Sequence, residues 1–498
     1  MTAVPVATDY EVVIGLEVHA QLLTASKMFC RCNAAYADAP PNTHNCPICM
    51  GMPGVLPVIN EQAVEYTVMT ALALNCSIPS FSKFDRKNYF YPDLPKGYQI
   101  SQYDIPLSRN GYLLVRSKQG EERRIGIHRV HLEEDTGRLL HKTGSDAISY
   151  SLVDLNRAGV PLIEIVTEPD IRTPEEARLY MQKLRTTLVY LGVSSGRMEE
   201  GSLRCDANIS VRPRGESRLG VKTEIKNMNS FRSVQRALEY EAARQMAVLR
   251  DGGVITQETR GWVELKGITV SQRSKEQAHD YRYFPEPDLP PLVLSEAWIA
   301  GVRAKMPELP DARRQRFMEQ YSLSSYDAEV LTSERALADY FEQAVEQTQE
   351  GEVQARAKAV TNWVNGDLAR LLNAAGKEIS VSPVTPAGIA GLVDLLAQQK
   401  ISGSQAKEVL ERSFASGRQP AEVVAAEGMT QLSDQSALER IIDEVLAANP
   451  KVVDDFRGGK ESTVTWFMGQ VMKQSKGRAQ PALVRPLLLE KLQQLASS

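Results

Sequence analysis

The sequence has 498 residues, 43% apolar and 24% charged, with a formal net charge of −4. So long a chain exceeds one compact core, and two or three domains are expected. The slight acidic excess excludes a basic surface spread over the whole chain, so a nucleic-acid partner would need a local basic patch. No run approaches the roughly 18 apolar residues of a membrane span. The opening MTAVPVATDYE lacks the basic and apolar regions of a secretory signal, so a cytoplasmic protein is expected.

In chain order, the first informative run is VIGLEVH (13–19). Read as a strand, it turns Ile14, Leu16 and Val18 to a core and Gly15, Glu17 and His19 the other way, with Gly15 leaving room for a close approach. A half-exposed strand and one wall of a metal or nucleotide site both fit. Next, CRCNAAYADAPPNTHNCPICMG sets Cys30 and Cys32 against Cys46 and Cys49. Two short-spaced pairs at the feet of a Pro/Asn-rich loop match a closed four-thiolate zinc site of structural role; the alternative is four unligated thiols. Cys76 and Cys205 stand alone and are expected to be buried, and six cysteines over this length make no disulfide framework.

Carboxylates then gather in strand-like contexts. IHRVHLEEDTG carries Glu133, Glu134 and Asp135 just after an alternating stretch, and VPLIEIVTEPD sets Glu164 among Leu162, Ile163, Ile165 and Val166. RMEEGSLRCDANIS supplies Glu199, Glu200, Arg204, Asp206 and Asn208. Singly, these fit a charged loop or a helix end. Glu164 is the most informative, because an ionised glutamate in an apolar strand is costly unless paired or coordinated. Oxygen ligands with one imidazole suit Mg²⁺ on nucleotide phosphates, so ATP-dependent chemistry is one reading, its substrate open. There is no Walker P-loop, G-x-S-x-G elbow or H-E-x-x-H; GESRLGVKT has Val221 before Lys222 and falls in a hairpin turn.

Around these runs, Thr173 as N-cap, Pro174 at N1, Glu176 in a capping box and Gly192 as terminator predict a helix, with Ala177, Tyr180, Met181, Leu184, Leu188 and Leu191 as its apolar stripe. DANISVRPRGESRLGVKTEIKN predicts a hairpin, Ile209 and Val211 going out and Val221, Thr223 and Ile225 returning. A second helix is expected from Phe231 to Arg250. The stretch Tyr283–Leu292 is too proline-rich for either element and is taken as a domain boundary. Beyond it the strand signal disappears, and RALADYFEQAVEQ and VQARAKAVTNWVNGDLARLLNAAG read as amphipathic helices. Residues 401–450 hold four basic and eight acidic side chains, whereas 451–498 hold eight basic and four acidic, which places the local positive surface in the tail.

VIGLEVHAQL, FDRKNYFYPDLPKGYQISQYD, LVDLNRAGVPLIEIVTEPD, MEEGSLRCDANIS and DYRYFPEPDLPP together resemble the B subunits of the aspartyl/glutamyl-tRNA amidotransferases, and GQVMKQSKGRAQPALV resembles the YqeY-type tail of that family. The resemblance runs almost end to end. It implies an α+β chain: a cradle of glutamine synthetase/guanido-kinase type over 1–294, an all-α domain over 295–402 and a YqeY-like tRNA-binding tail over 403–498. It implies ATP- and Mg²⁺-dependent phosphorylation of the side-chain carboxylate of Asp-tRNA(Asn) or Glu-tRNA(Gln). Ammonia from an amidase-type partner then attacks the acyl phosphate, and a small third protein ties that partner to the cradle chain, making a heterotrimer.

By the same resemblance, His19, Glu17, Glu134 and Glu164 form the Mg²⁺ site, with Glu133 adjacent. Lys87, Arg204, Asp206 and Asn208 are candidates for nucleotide or phosphate contacts, and Lys473, Lys476 and Arg478 for RNA contacts. The four cysteines match the zinc-bearing branch of the family. A non-catalytic tRNA-binding scaffold is the competing class; Glu164 argues against it, since a scaffold has no reason to accept that burial cost. A stand-alone ligase is disfavoured by the tail and by the lack of a glutaminase nucleophile.

Overall fold

The structure is a computed structural model describing residues 9–117, 120–143, 149–274, 281–429, 435–458, 460, 462–475 and 479–497. The fold is α+β, and two compact units divide between Leu309 and Pro310. The first is built on a mixed eight-stranded sheet. Its strands are β1 (Tyr10–Gln21), β2 (Ser108–Arg116), β3 (Glu122–Glu134), β4 (Pro161–Thr167), β5 (Leu203–Pro213), β6 (Thr223–Lys226), β7 (Glu258–Val263) and β8 (Ile268–Ser274). Their order is β8-β7-β6-β5-β1-β4-β3-β2, antiparallel at each pair but β6–β7.

Alternation along β1 buries Ile14, Leu16 and Val18, as the sequence predicts. They share one core with α1 (Glu61–Ala73), α2 (Pro174–Leu191) and α3 (Phe231–Arg250). Thr173 caps α2 by accepting from the Glu176 amide, and Gly192 ends it at φ 70°. Glu176 does not close a capping box; its carboxylate accepts instead from the Arg172 amide. All six residues of the predicted α2 stripe are in the core, where each large side chain contributes roughly 1.5–3 kcal/mol. The hairpin is β5–β6, with Val221 exposed outside it. At Gly15 a Cβ would lie 3.9 Å from Pro169 Cα, an ordinary contact, so close approach is not what selects glycine there.

The proline-rich stretch forms structure after all. Phe284–Pro285 pairs with Asp85–Asn88, and Leu292–Val293 pairs with Phe81–Ser82, as short edge strands within the first unit. Edges tolerate proline because one side of the strand needs no N–H. Arg86 anchors the stretch by donating to both oxygens of Glu286, at 2.7 and 2.9 Å. The helix α4 (Glu296–Ala304) then packs on α1.

In the second unit the described elements are helical. One core gathers side chains from Phe317 to Val424, continuing across position 402, and another gathers Leu438 to Leu492. Arg313 and Arg316 of the helix Pro310–Gln320 hold Glu342 of the helix Arg335–Gln347, with Nε at 3.0 Å and Nη1 at 2.6 Å. Burial would push this carboxyl up, but the two guanidiniums hold it below its ordinary range.

Candidate functional site

Strand register places four side chains in one row across the sheet. His19 on β1 faces Arg204 on β5 and Glu164 on β4, and Glu164 faces His131 on β3. Two residues along β1, Glu17 faces Asp206. Two residues along β3, Glu133 shares the face of His131. These side chains line a cleft of about 870 Å³ together with Lys87, Tyr89, Tyr281 and Tyr283.

His19 Nε2 lies 3.3 Å from Glu164, 3.7 Å from Glu133 and 3.8 Å from Glu17. His131 Nε2 lies 3.4 Å from Glu164 and 3.6 Å from Glu133. Two triads therefore share Glu164: Glu17–His19–Glu164 and His131–Glu133–Glu164, each with ligand atoms within 4.8 Å of one another.

The electrostatics follow from that crowding. Burial would lower His19, but the Glu164 bond and the three carboxylates raise it to about 9. His131 is likewise raised against burial, by Glu164 and Glu133. Burial would raise Glu164, yet the two imidazoles hold it well below the usual carboxylate range. Against burial again, His131 and Lys87 hold Glu133 below that range. Glu17 goes the other way, pushed up by the Glu164 charge and by burial. Three carboxylates thus converge on two imidazoles, with Arg129 3.6 Å from Glu164, and a divalent cation bound here would take the place of the imidazole protons among them. His131 Nδ1 is buried with no hydrogen-bond partner among the described residues. Carboxylate oxygens and imidazoles fixed on neighbouring strands fit a divalent cation.

Glu134, expected in this set by resemblance, is on the other face of β3. Its carboxylate accepts from the Ile100 amide at 3.0 Å and from Lys96, beside Cys30, Cys49 and Gly159. The physical reason is the strand period of two, which sends adjacent residues to opposite faces. Of the nucleotide candidates, Lys87 lies 5.0 Å over the Tyr281 ring; burial would lower its ammonium, but Glu133 and Glu164 hold it well above the usual value. Arg204 donates to both oxygens of Asp135, at 3.0 and 3.1 Å. Asp206 accepts from Lys226 at 2.6 Å. Asn208 faces Glu224 and Gly15, beyond the cleft lining, and its Oδ1 is buried without a partner among the described residues. Glu199 and Glu200 are exposed on a turn, away from these groups.

The four loop cysteines do converge. Their sulfurs lie within 4.8 Å of one another, Cys46 and Cys49 at 3.9 Å, as a tetrahedral thiolate site requires. A bond from Cys30 lowers Cys49 to about 5 despite burial. Cys76 and Cys205 are buried free thiols. In the tail, Lys473 is exposed in the last turn of the helix Ser462–Gln474, whereas Lys476 and Arg478 lie outside the described residues.

A family profile described as GatB/GatE catalytic domain matches residues 12–300, and one described as GatB domain matches residues 339–492. The chain belongs to the GatB family. It is 58% identical over 484 residues to a protein of Moorella thermoacetica, covering 97% of this chain and all of that relative. It is 55% identical over 487 residues to one of Carboxydothermus hydrogenoformans, covering 98% of this chain and all of the relative. Both relatives carry the name of the B subunit of an aspartyl/glutamyl-tRNA(Asn/Gln) amidotransferase. No helix among the described residues is long and apolar enough to cross a membrane.

Within the GatB cradle, the sequence reading missed His131, Arg157, Lys226 and the tyrosine wall. His131 had a usable signal. The pattern Glu-x-His at 17–19 is mirrored by His-x-Glu at 131–133, and both put an imidazole and a carboxylate on one strand face.

Proposed function

We propose that this chain is the B subunit of a cytoplasmic tRNA-dependent amidotransferase, acting in a heterotrimer with an amidase-type partner and a small linking protein. The reaction is a glutamine-dependent, carbon–nitrogen bond-forming ligation. A carboxylate oxygen of Asp on tRNA(Asn) or Glu on tRNA(Gln) attacks the γ-phosphorus of ATP, and ADP leaves. Ammonia then attacks the carbonyl carbon of the acyl phosphate, and phosphate leaves. The names of the relatives support this reading, and the observation that carries it is the row His19–Glu164–His131 with Glu17 and Glu133 alongside.

Phosphoryl transfer demands positioning and charge neutralisation, and its nucleophile belongs to the substrate. A Mg²⁺ ion held by Glu17, His19, Glu133 and Glu164 would neutralise charge on the transferring group. His131, on the same face, orients Glu133 and Glu164. Lys87, Arg157, Arg204 and Lys226 bring fixed positive charge to the same cleft for phosphate oxygens. Tyr89, Tyr281 and Tyr283 wall off one side and limit water. The four cysteines hold a structural Zn²⁺, and the tail grips the tRNA body through Lys473, with Lys476 and Arg478.

The test uses the assembled complex with ammonium salt in place of glutamine, so that the chemistry of the amidase-type partner is bypassed. ADP formation should require charged tRNA, and hydroxylamine should trap the acyl phosphate as a hydroxamate. Amidation that proceeds in Glu164→Gln with ADP formation at the wild-type rate would instead leave this chain as a tRNA-binding scaffold.

A further inference from the structure

We propose that the four-cysteine loop is a positioning device for the cleft: with its metal bound, it fixes Arg157 through Lys27 and the turn 153–159. Lys27 lies just beyond β1 with its side chain fully buried. A buried ammonium needs partners. Its Nζ donates to the His44 carbonyl at 2.6 Å, and it reaches the Leu155 carbonyl at 3.5 Å and Cys49 Sγ at 3.8 Å. One cation thus joins three segments: the exit of β1, the second cysteine pair and the connector that leads into β4. Four thiolates around a divalent ion carry two net negative charges, and Lys27 supplies a compensating positive charge where water cannot.

The loop between the cysteine pairs is stapled to that connector by side-chain amides. Asn42 donates to the Val153 carbonyl at 2.9 Å and accepts from the Leu155 amide at 2.7 Å. Asn156, almost fully buried, accepts from the His44 amide and donates to the Pro40 carbonyl, both at 2.7 Å. Gly159, at φ 85°, lies against the cluster: a Cβ there would lie 3.4 Å from Cys49 Cβ, at van der Waals contact. Its carbonyl accepts from the Met28 amide at 2.7 Å.

Arg157 stands between Asn156 and Gly159, and it alone of this turn projects into the cleft lining. Its guanidinium donates to the carbonyls of Thr136 and Gly137, at 3.0 and 2.6 Å, and lies 3.7 Å from Asp135. Asp135 in turn holds Arg204 and Gln21. The turn that carries Arg157 is therefore held from the cysteine side by Asn42, Asn156 and Lys27, and from the cleft side by the Gly159 amide on the Asp135 carbonyl at 2.8 Å and by the Arg157 head, so a loosened loop releases one of the two supports. Its contribution to phosphate binding rests on the phosphoryl-transfer reading above; the mechanical coupling does not.

The experiment uses the full complex without nucleotide. A zinc-selective chelator removes the metal at constant Mg²⁺, and backbone hydrogen exchange is read at 153–160, with α3 as internal control. Exchange at 153–160 should rise about tenfold or more, with α3 unchanged. Lys27→Met should weaken zinc binding about 10- to 100-fold in competition with a chromogenic chelator, and Lys27→Arg should recover part of it. In the activity arm, metal removal should raise the KM for ATP more than it lowers kcat. A complex with no zinc and four freely alkylated thiols overturns the proposal, as does metal loss that leaves 153–160 unchanged. If Lys27→Met fails to fold, chelation of the wild type decides alone. Coupling observed by exchange in a complex that consumes no ATP would retain the device and reject the phosphoryl-transfer reading.

Discussion

Glu133 and Glu134 are covalent neighbours on β3 that serve opposite sides of the sheet. Glu133 lies on the cleft face, 3.7 Å from His19 and 3.6 Å from His131, and Glu134 is held by Lys96 and the Ile100 amide beside the cysteine loop. Their glutamine variants should therefore fail differently. Glu133→Gln should weaken Mn²⁺ binding, followed by electron paramagnetic resonance, about 10- to 100-fold. Glu134→Gln should keep Mn²⁺ affinity within a few-fold but lose about 3 kcal/mol of stability, because Lys96 is left buried without its anion. Matching losses of metal affinity in both variants would contradict this division.

Glu164 is shared by both imidazoles, so its loss should affect both at once. Glu164→Gln keeps the side-chain volume and removes the charge that faces His19 and His131. Amidation should fall by at least about 100-fold, with circular dichroism unchanged. Amidation within tenfold of the wild type would remove Glu164 from the reaction.

In the helical unit, the pH dependence follows from Glu342. Burial would raise its folded-state pKa, but Arg316 and Arg313 outweigh burial and depress it. A depressed carboxyl contributes stability that is present above its unfolded value, about 4.3, and is lost as pH falls through the folded value. Glu342→Gln should thus cost about 1–3 kcal/mol at pH 7, and that cost should shrink as pH falls below the unfolded value and through the folded one. A cost that persists undiminished at pH 3 would mean that packing, not charge, holds these helices.

Tail function is testable without damage to the core if the cut is chosen from the structure. Truncation from Ser404 would remove Ala406, Val409, Leu410, Val423 and Val424 from the second core, whereas a stop after Met429 spares them. The shorter chain should bind tRNA more weakly and with a flatter salt dependence, and Lys473→Ala alone should lower the slope by about one unit. Equal affinity and slope at two salt concentrations would place tRNA recognition elsewhere.

Local signals in the sequence carried the elements they encode. The Thr173 cap and Gly192 terminator bound α2, and alternation sorted Ile14, Leu16 and Val18 from Glu17 and His19. The four cysteines were legible because two short-spaced pairs need only a loop to meet. Longer-range relations were not. Alternation from Val130 and Leu132 puts Glu133 with His131, but that this face meets Glu164 depends on pairing with β4, which no property of the LEED run reveals. The segment Tyr283–Leu292 read as a break because its strands are short and find partners about 200 residues upstream. Arg157 is ordinary in sequence and acquires its place only from bonds made by Asn42 and Asn156.

The row Arg204–His19–Glu164–His131 also bears on how the four central strands find one another. A slip of one residue by β1 would swing Glu17 and His19 into the apolar layer beneath α2 and α3, and turn Leu16 and Val18 out to water. Each misaligned pairing would bury unpaired charge among aliphatic side chains, a cost of several kcal/mol per group. The charges that make the cleft also act as a proofreading device for the sheet: strands align only where histidine meets carboxylate. Replacing them all by neutral residues would leave an open cleft, and it would also leave the centre of the sheet without the feature that tells one alignment from the next.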